Sequence, residues 1–154
     1  MTDAQFKALC ERAGRELDEK QCASLVQFGQ VDIDGVTIGL FLDEQESPDI
    51  LFCYVDLGAV EHERRAHVFE NLLTLNLLSG TKTTGVYAID PASGNALFIV
   101  HLYEPETLEG KVLAEALRTY ADQAKALRQG LLLTPPAPQD GRRQNGAASM
   151  MDLA

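Results

Sequence analysis

The sequence has little of what marks a secreted, membrane-bound or nucleic-acid-binding protein. Its 154 residues include no tryptophan, and 13 Lys and Arg stand against 23 Asp and Glu, which gives a formal net charge of −10. Three cysteines without a CxxC pair favour reduced thiols over a disulfide framework. No run of 18 apolar residues and no hydrophobic leader is present. We therefore expect a soluble cytoplasmic protein that neither inserts into membranes nor binds nucleic acid.

Two segments resemble sites of chemistry but have the wrong spacing. His62 and His67 lie five residues apart on a predicted helix, so their side chains point about 140° apart and cannot share one zinc ion. Residues 79–84 have the composition of a phosphate loop, but no glycine directly precedes Lys82 and the order is helix to strand. A solvated helix turn and a connecting loop explain the two segments better.

Other isolated residues also lack partners for chemistry. Residues 32–35 begin like a calcium loop, yet the twelfth position is Asp43 instead of the closing Glu. Cys53 and His101 lie in predicted strands without a catalytic partner nearby. We predict no catalytic residue, no metal ligand and no cofactor, and therefore a binding protein that is not an enzyme. A small enzyme assembled around His62 and His67 is the weakest alternative.

Hydrophobic periodicity predicts an α+β fold in which helices pack on a twisted antiparallel sheet. An apolar spacing of three to four residues predicts helices at 2–18, 60–79 and 107–129, the last two ended by Gly80 and Gly130. Alternation around Asp34-Gly35 predicts a hairpin within residues 25–42. Further strands are predicted at 50–57, 85–90 and 96–103. The predicted order is helix, three strands, helix, two strands and helix.

The second half of the helix at 60–79 is apolar around most of its circumference. Such a helix must be buried on more than one side. Either it lies at the centre of the protein or its outer face meets a second subunit, and we favour the homodimer. The apolar residues are Val68, Phe69, Leu72, Leu73, Leu75, Leu77 and Leu78.

The last 24 residues differ in composition from the rest. Residues 131–154 contain three of the six prolines, no aromatic residue and no periodic pattern. Such a segment cannot bury enough apolar surface to offset the entropy of ordering. We predict one domain at 1–130 and a mostly disordered tail at 131–154.

Four strings of the sequence carry a family resemblance. They are the hairpin around residues 31–36, the strand end at 56–58, the helix at 69–76 with its Leu-Leu-x-x-Asn core, and the hairpin formed by residues 85–90 and 97–100. With the order of elements, the small size and the low pI, the chain resembles the class I chaperones of bacterial type III secretion, the Tir-chaperone family. The resemblance covers about residues 3–129.

The resemblance implies a function and a set of contact residues. It implies a homodimer in the bacterial cytoplasm that binds the N-terminal region of a secreted effector in extended form, without ATP, and keeps it soluble and secretion-competent. Strand addition at sheet edges and apolar grooves would hold the client. The implied dimer residues are Phe69, Leu72, Leu73, Leu75, Asn76 and Leu77, and the implied effector-binding residues are Phe41, Phe52 and Tyr54.

Two alternatives remain open at this point. Each of these residues could instead belong to an ordinary core, and the same fold could serve an adaptor or regulatory module that binds folded proteins.

The acidity of the chain is concentrated in one stretch. Between Gln21 and Glu63 there are nine acidic residues and no Lys or Arg, so this stretch carries −9 of the net charge of −10. It coincides with the strands that would contact the client, and we expect it to favour client segments with basic residues.

Overall fold

The computed structural model describes residues 1–79 and 85–131 of the chain. Four helices, five strands and two short 3-10 turns follow one another in these ranges. Their order is α1 (Asp3–Gly14), α2 (Glu19–Phe28), β1 (Gln30–Ile33), β2 (Val36–Leu42), β3 (Ile50–Ala59), a 3-10 turn (His62–Arg64), α3 (Arg65–Ser79), β4 (Gly85–Ile89), β5 (Asn95–Tyr103), a 3-10 turn (Pro105–Thr107) and α4 (Gly110–Leu131).

The strands form one antiparallel sheet in the order β1-β2-β3-β5-β4. The predicted two-residue turn joins β1 to β2, with φ of 52° at Asp34 and 77° at Gly35. Positive φ at both positions matches the twist of a tight hairpin. The predicted α+β class, with helices packed on an antiparallel sheet, is confirmed.

The structure contains one helix more than the predicted order. The first helix ends at Gly14, and a separate helix α2 follows where none was predicted. Asp18 caps it, since its side chain accepts from the Gln21 N–H at 2.8 Å. A Cβ at Gly14 would lie 2.5 Å from the Cys22 sulfur, so this glycine lets α1 and α2 approach closely. The first helix thus ends at Gly14 instead of at residue 18 of the predicted 2–18, and α2 occupies a segment that was given no helix.

Three further predicted helix boundaries were wrong. Residues 60–64 are not α-helical, since β3 ends at Ala59 and a 3-10 turn at His62–Arg64 precedes α3. The last helix begins at Gly110 instead of Thr107, after a second 3-10 turn. Gly130 does not end the last helix, which continues to Leu131. Leu131 is buried in the core, and its burial offsets the helix-breaking tendency of glycine, which costs about 1 kcal/mol. The proposed stop at Gly80 lies outside the described residues.

The hydrophobic core lies against one face of the sheet, which we call the covered face. Helix α4 packs across β1, β2 and β3 on this face and also contacts α1. The buried stripe of α4 includes Leu113, Leu117 and Ala121. The buried strand residues that define the covered face are Val31, Ile33, Val36, Ile38, Leu40, Leu51, Cys53, Val55, Leu57, Ala96, Phe98 and Val100.

A buried arginine fixes the end of α4 to the sheet. The guanidinium of Arg128 donates to the backbone oxygens of Leu57, Gly35 and Asp56 at 2.8, 2.8 and 2.9 Å. Its planar fork reaches the hairpin turn and the β3 bulge together. The last turns of α4 are therefore held on the covered face by polar contacts as well as by apolar packing.

The tail predicted at 131–154 lies outside the described residues, apart from Leu131. The division into a domain at 1–130 and a tail stays a prediction.

Candidate functional site

The face of the sheet opposite the core remains partly exposed. Along β2, β3 and β5 every second residue is buried and the residues between are only half-buried. We call this second surface the open face. Its apolar and aromatic side chains are Phe41, Ile50, Phe52, Tyr54, Val86, Ala88, Leu97, Ile99, His101 and Tyr103.

Five rings meet on the open face and form what we call the aromatic cluster: Phe41, Phe52, Tyr54, His101 and Tyr103. Phe52 is at its centre because it pairs with Phe41 on β2 and with His101 on β5. The ring of Phe52 lies 6.5 Å from those of Phe41 and Tyr54, and 5.3 Å from His101 in an edge-to-face arrangement. His101 in turn lies 6.5 Å from Tyr103. Cross-strand pairing thus builds a continuous aromatic surface from three strands.

The cluster combines apolar area with hydrogen-bonding capacity. The Tyr54 phenol is protonated at neutral pH and can donate a hydrogen bond, and burial raises its pKa further above the ordinary value. Tyr103 is 60% exposed at the end of β5. An extended peptide lying over these rings could bury apolar side chains and still hydrogen-bond.

An acidic rim lies at one end of the aromatic cluster. The loop from β2 to β3 supplies four of its members, and Glu104 follows Tyr103 directly. The Glu104 N–H donates to the Asp49 carbonyl at 3.1 Å, which ties the two segments together. The acidic rim consists of Asp43, Glu44, Glu46, Asp49 and Glu104, and none of the five forms a salt bridge within residues 1–79 and 85–131.

Helix α3 carries a second exposed apolar surface. Val68 and Leu72 are buried against the core, whereas Leu73, Leu77 and Leu78 are 69%, 80% and 70% exposed. The alternative of a centrally buried helix is therefore wrong for the single chain. Phe69, Leu73 and Leu77 follow one another at four-residue spacing and share one side of the helix.

The remaining implied dimer residues have contacts within the chain. Leu75 packs partly against the core, and Leu72 leaves almost no surface for a second subunit. Asn76 hydrogen-bonds to the backbone of Tyr87 on β4 through both atoms of its amide. The role of these residues in a dimer stays a prediction.

The groups considered for catalysis are dispersed. His62 and His67 are exposed, and the Nε2 of His67 lies 3.1 Å from the side-chain amide nitrogen of Asn71. Within the described ranges, no three His, Cys, Asp or Glu side chains are placed to hold a metal ion. Burial raises the pKa values of Cys10 and Cys53 to about 12, so their thiolate forms are scarce at neutral pH.

Sequence reasoning found part of the open face and missed the rest. Phe41, Phe52 and Tyr54 were singled out and do lie together. Ile99, His101 and Tyr103 on β5 were missed as contact candidates. Alternation within β5 is consistent with these three residues sharing a face of the strand. Only the pairing of β5 with β3 brings them beside Phe52.

No helix of the described ranges is long and apolar enough to cross a membrane.

A family model identifies the family of the chain, and two solved structures show the same fold. Residues 5–128 match the model of the Tir chaperone protein (CesT) family. The fold is similar to a chain in the crystal structure of the ExsC–ExsE complex, with a TM-score of 0.62, 14% identity, and coverage of 88% of this chain and 97% of that one. It is also similar to a chain in the HopA1–SchA chaperone–effector complex, with a TM-score of 0.52, 15% identity, and coverage of 84% and 99%. No curated protein sequence matches the chain significantly.

Proposed function

The chain belongs to the Tir chaperone protein (CesT) family of type III secretion chaperones, which are not enzymes, and we propose how it handles its client. It binds the N-terminal region of a secreted effector in extended form, without ATP, and so keeps the effector soluble and competent for secretion. The similar HopA1–SchA structure is a chaperone–effector complex, which supports a protein client. Because identity to that protein is 15%, the identity of the client does not transfer.

The aromatic cluster is the observation that carries this proposal. It offers a half-exposed apolar surface on a rigid sheet, and such a surface is typical of a protein contact site. Aromatic rings provide large contact area at low cost in side-chain entropy. A client in extended form would place alternate apolar side chains over Phe52 and its neighbours. Phe41, Phe52 and Tyr54 are therefore proposed as effector contacts, together with His101 and Tyr103.

The acidic rim supports a preference for clients with basic residues near the apolar contacts. Four of its carboxylates lie in the loop between Phe41 and Phe52, and the fifth, Glu104, follows Tyr103. Opposite charge speeds encounter more than it strengthens the bound complex. We therefore expect the association rate with a client to fall as salt is raised, and an unchanged rate would remove the rim from the proposal.

Helix α3 is proposed as the dimer interface. Leu73 and Leu77 expose most of their side chains, and burying each such side chain contributes about 1.5–3 kcal/mol. Sedimentation of the wild type should give a mass near twice 16.8 kDa. The double substitution of Leu73 and Leu77 by Glu should give the single-chain mass, whereas Val112→Glu, at an exposed apolar site on α4, should not. A wild type that stays monomeric over a wide concentration range contradicts the dimer.

A crosslinking experiment tests the client proposal directly. The chain is co-expressed with a secreted effector encoded next to its gene, and the purified complex is crosslinked. Crosslinks from the open face confined to about the first hundred residues of the effector support the proposal. Crosslinks to a folded domain of the partner would favour the adaptor instead. Omitting ATP should leave the amount of complex unchanged.

A further inference from the structure

The outer edge of β4 is the starting point of this inference. In the order β1-β2-β3-β5-β4, β4 has β5 on one side only. The Asp90 N–H donates to the Asn95 carbonyl at 2.9 Å, which makes these two residues a hydrogen-bonded pair. Tyr87, three residues before Asp90, lies opposite Phe98 in the same register. Because hydrogen-bonded pairs alternate in an antiparallel ladder, the N–H and C=O of Tyr87 point away from β5. They are the groups that an added strand would use.

Asn76 already satisfies both of these groups. Its Oδ1 accepts from the Tyr87 N–H at 2.7 Å, and its Nδ2 donates to the Tyr87 carbonyl at 3.0 Å. A residue in a neighbouring antiparallel strand would make the same two bonds. The side-chain amide thus takes the place of a peptide group at the middle of the edge. Tyr87 itself is held from the covered face, where its ring stacks on Phe98 at 4.7 Å.

On the opposite edge of the sheet, a side-chain amide makes one hydrogen bond to the strand instead of two. On β1 the outward carbonyl of Asp32 accepts from Gln21 Nε2 at 3.1 Å. The Oε1 of Gln21 accepts from the Asp18 N–H at the start of α2, so this amide makes only one bond to the strand. The two edges are therefore not equivalent.

We propose that Asn76 closes the β4 edge to strand addition, whether the incoming strand comes from a second copy of this chain or from another extended polypeptide. An incoming strand would have to remove Asn76 from both bonds before it could pair with Tyr87. Unpaired edges are sites of unwanted association, and covering them is a common protection. The inference goes beyond the proposed chaperone function and does not depend on which client is bound.

Substituting Asn76 tests the proposal with two measurements. In Asn76→Ala the amide hydrogen of Tyr87 should exchange at least about tenfold faster by NMR, while that of Ala88, which faces β5, should be unchanged. Sedimentation should show a new species, larger than that of the wild type, whose share grows with concentration. Asn71→Ala is the matched control on the same helix, since Asn71 contacts His67 and not the sheet. It should alter neither measurement.

Two further variants separate edge closure from simple destabilisation. Asn76→Ser is too short to reach both groups of Tyr87 and should behave like Asn76→Ala, so it serves if the alanine variant does not fold. Asn76→Asp loses the donor but places a negative charge at the edge, and charge prevents strand pairing. Its mass should remain that of the wild type.

Three results would overturn the proposal. The first is an unchanged exchange rate at Tyr87 in Asn76→Ala or Asn76→Ser. The second is faster exchange without the larger species. The third is association in Asn76→Asp as well, or acceleration of Ala88 together with Tyr87, because either would show a loosened fold rather than an opened edge.

Discussion

The two faces of the sheet use the same strands for different purposes. The covered face consists almost entirely of aliphatic side chains that are buried, such as Leu51 and Val55. The open face presents Phe52 and Tyr54 at the alternate positions of the same strand, and these are only half-buried. Neighbouring residues thus divide between holding the fold together and presenting a contact surface.

The residue types on the two faces follow from this division. Branched aliphatic side chains fill a closed core without leaving polar atoms to satisfy. Rings with a polar tip suit a surface that meets water before binding and a partner afterwards. Helix α4 covers the first face, and the side chains of the second remain partly exposed.

The largest expected effect concerns the covered face. Leu51→Ala should lower the free energy of unfolding by about 2–5 kcal/mol, because a fully buried leucine leaves a cavity behind. Urea denaturation measures the change. Phe52→Ala, one residue away on the open face, should lower the free energy of unfolding by a smaller amount. Equal losses would mean that the two faces do not differ as described.

Substituting Arg128 tests how much its hydrogen bonds to the sheet contribute to holding α4 on the covered face. Arg128→Met keeps the aliphatic stem but leaves the carbonyls of Leu57, Asp56 and Gly35 without their shared donor. We expect a loss of about 1.5–3 kcal/mol in the free energy of unfolding. Lys111→Met is the control, since Lys111 lies exposed on the same helix and its side chain has no hydrogen bond or salt bridge among the described residues, and it should change stability by less than about 0.5 kcal/mol. A similar loss in both variants would assign the effect to helix α4 in general.

Phe52 tests the open face as a contact surface. Phe52→Ala should weaken effector binding by about tenfold or more, because it removes the central ring of the aromatic cluster. Titration calorimetry with the effector's N-terminal segment measures the affinity. Phe28→Ala removes an exposed ring at the end of α2 and should leave affinity unchanged. If both variants bind like the wild type, the client lies elsewhere.

The smallest effect concerns Asp56, the carboxyl group at the other end of the open face. Burial raises its pKa above the ordinary value, although the Asn95 side chain and the Gly58 N–H donate to it at 2.9 and 2.7 Å. The folded chain therefore holds this proton more tightly than the unfolded chain. Its contribution to stability is present at low pH and is lost as pH rises through the folded pKa.

Asp56→Asn should remove this dependence. Stability of the variant relative to the wild type should rise as the pH is raised from below the ordinary pKa of an Asp, about 3.9, through the raised pKa of Asp56 in the folded chain, as followed by thermal unfolding. The stability of Glu63→Gln, a substitution at an exposed site, should depend on pH in the same way as that of the wild type. A parallel course for Asp56→Asn as well would contradict the role given to burial.

Much of the fold was predictable because its signals are local. Alternation and the Asp34-Gly35 turn identified the first hairpin, and the apolar stripe identified α4. Helix α2 was missed even though Asp18 and Gln21 form a capping box and Gly29 ends the helix at a positive φ. The apolar spacing of residues 6–17 placed the end of the first helix at about residue 18, so the cap of α2 was counted as part of α1.

The candidate site was predictable only in part. The family resemblance implied Phe41, Phe52 and Tyr54 as effector contacts, and only the pairing of β2 with β3 brings the three onto one face. His101 had no partner in the sequence because its partner, Phe52, lies 49 positions earlier in the chain. The implied dimer role of Asn76 gave no hint of its two bonds to Tyr87.

The sequence by itself determined the strands and three of the four helices, the alternation of the first hairpin and the acidic stretch, since each depends on residues close together in the chain. Only the tertiary structure decided that β5 pairs with β3, which assembles the aromatic cluster, and that Asn76 and Arg128 reach distant backbone groups. Such contacts depend on the register between separate segments. Periodicity states which side of a strand faces the core, but it carries no information about which strand lies beside it.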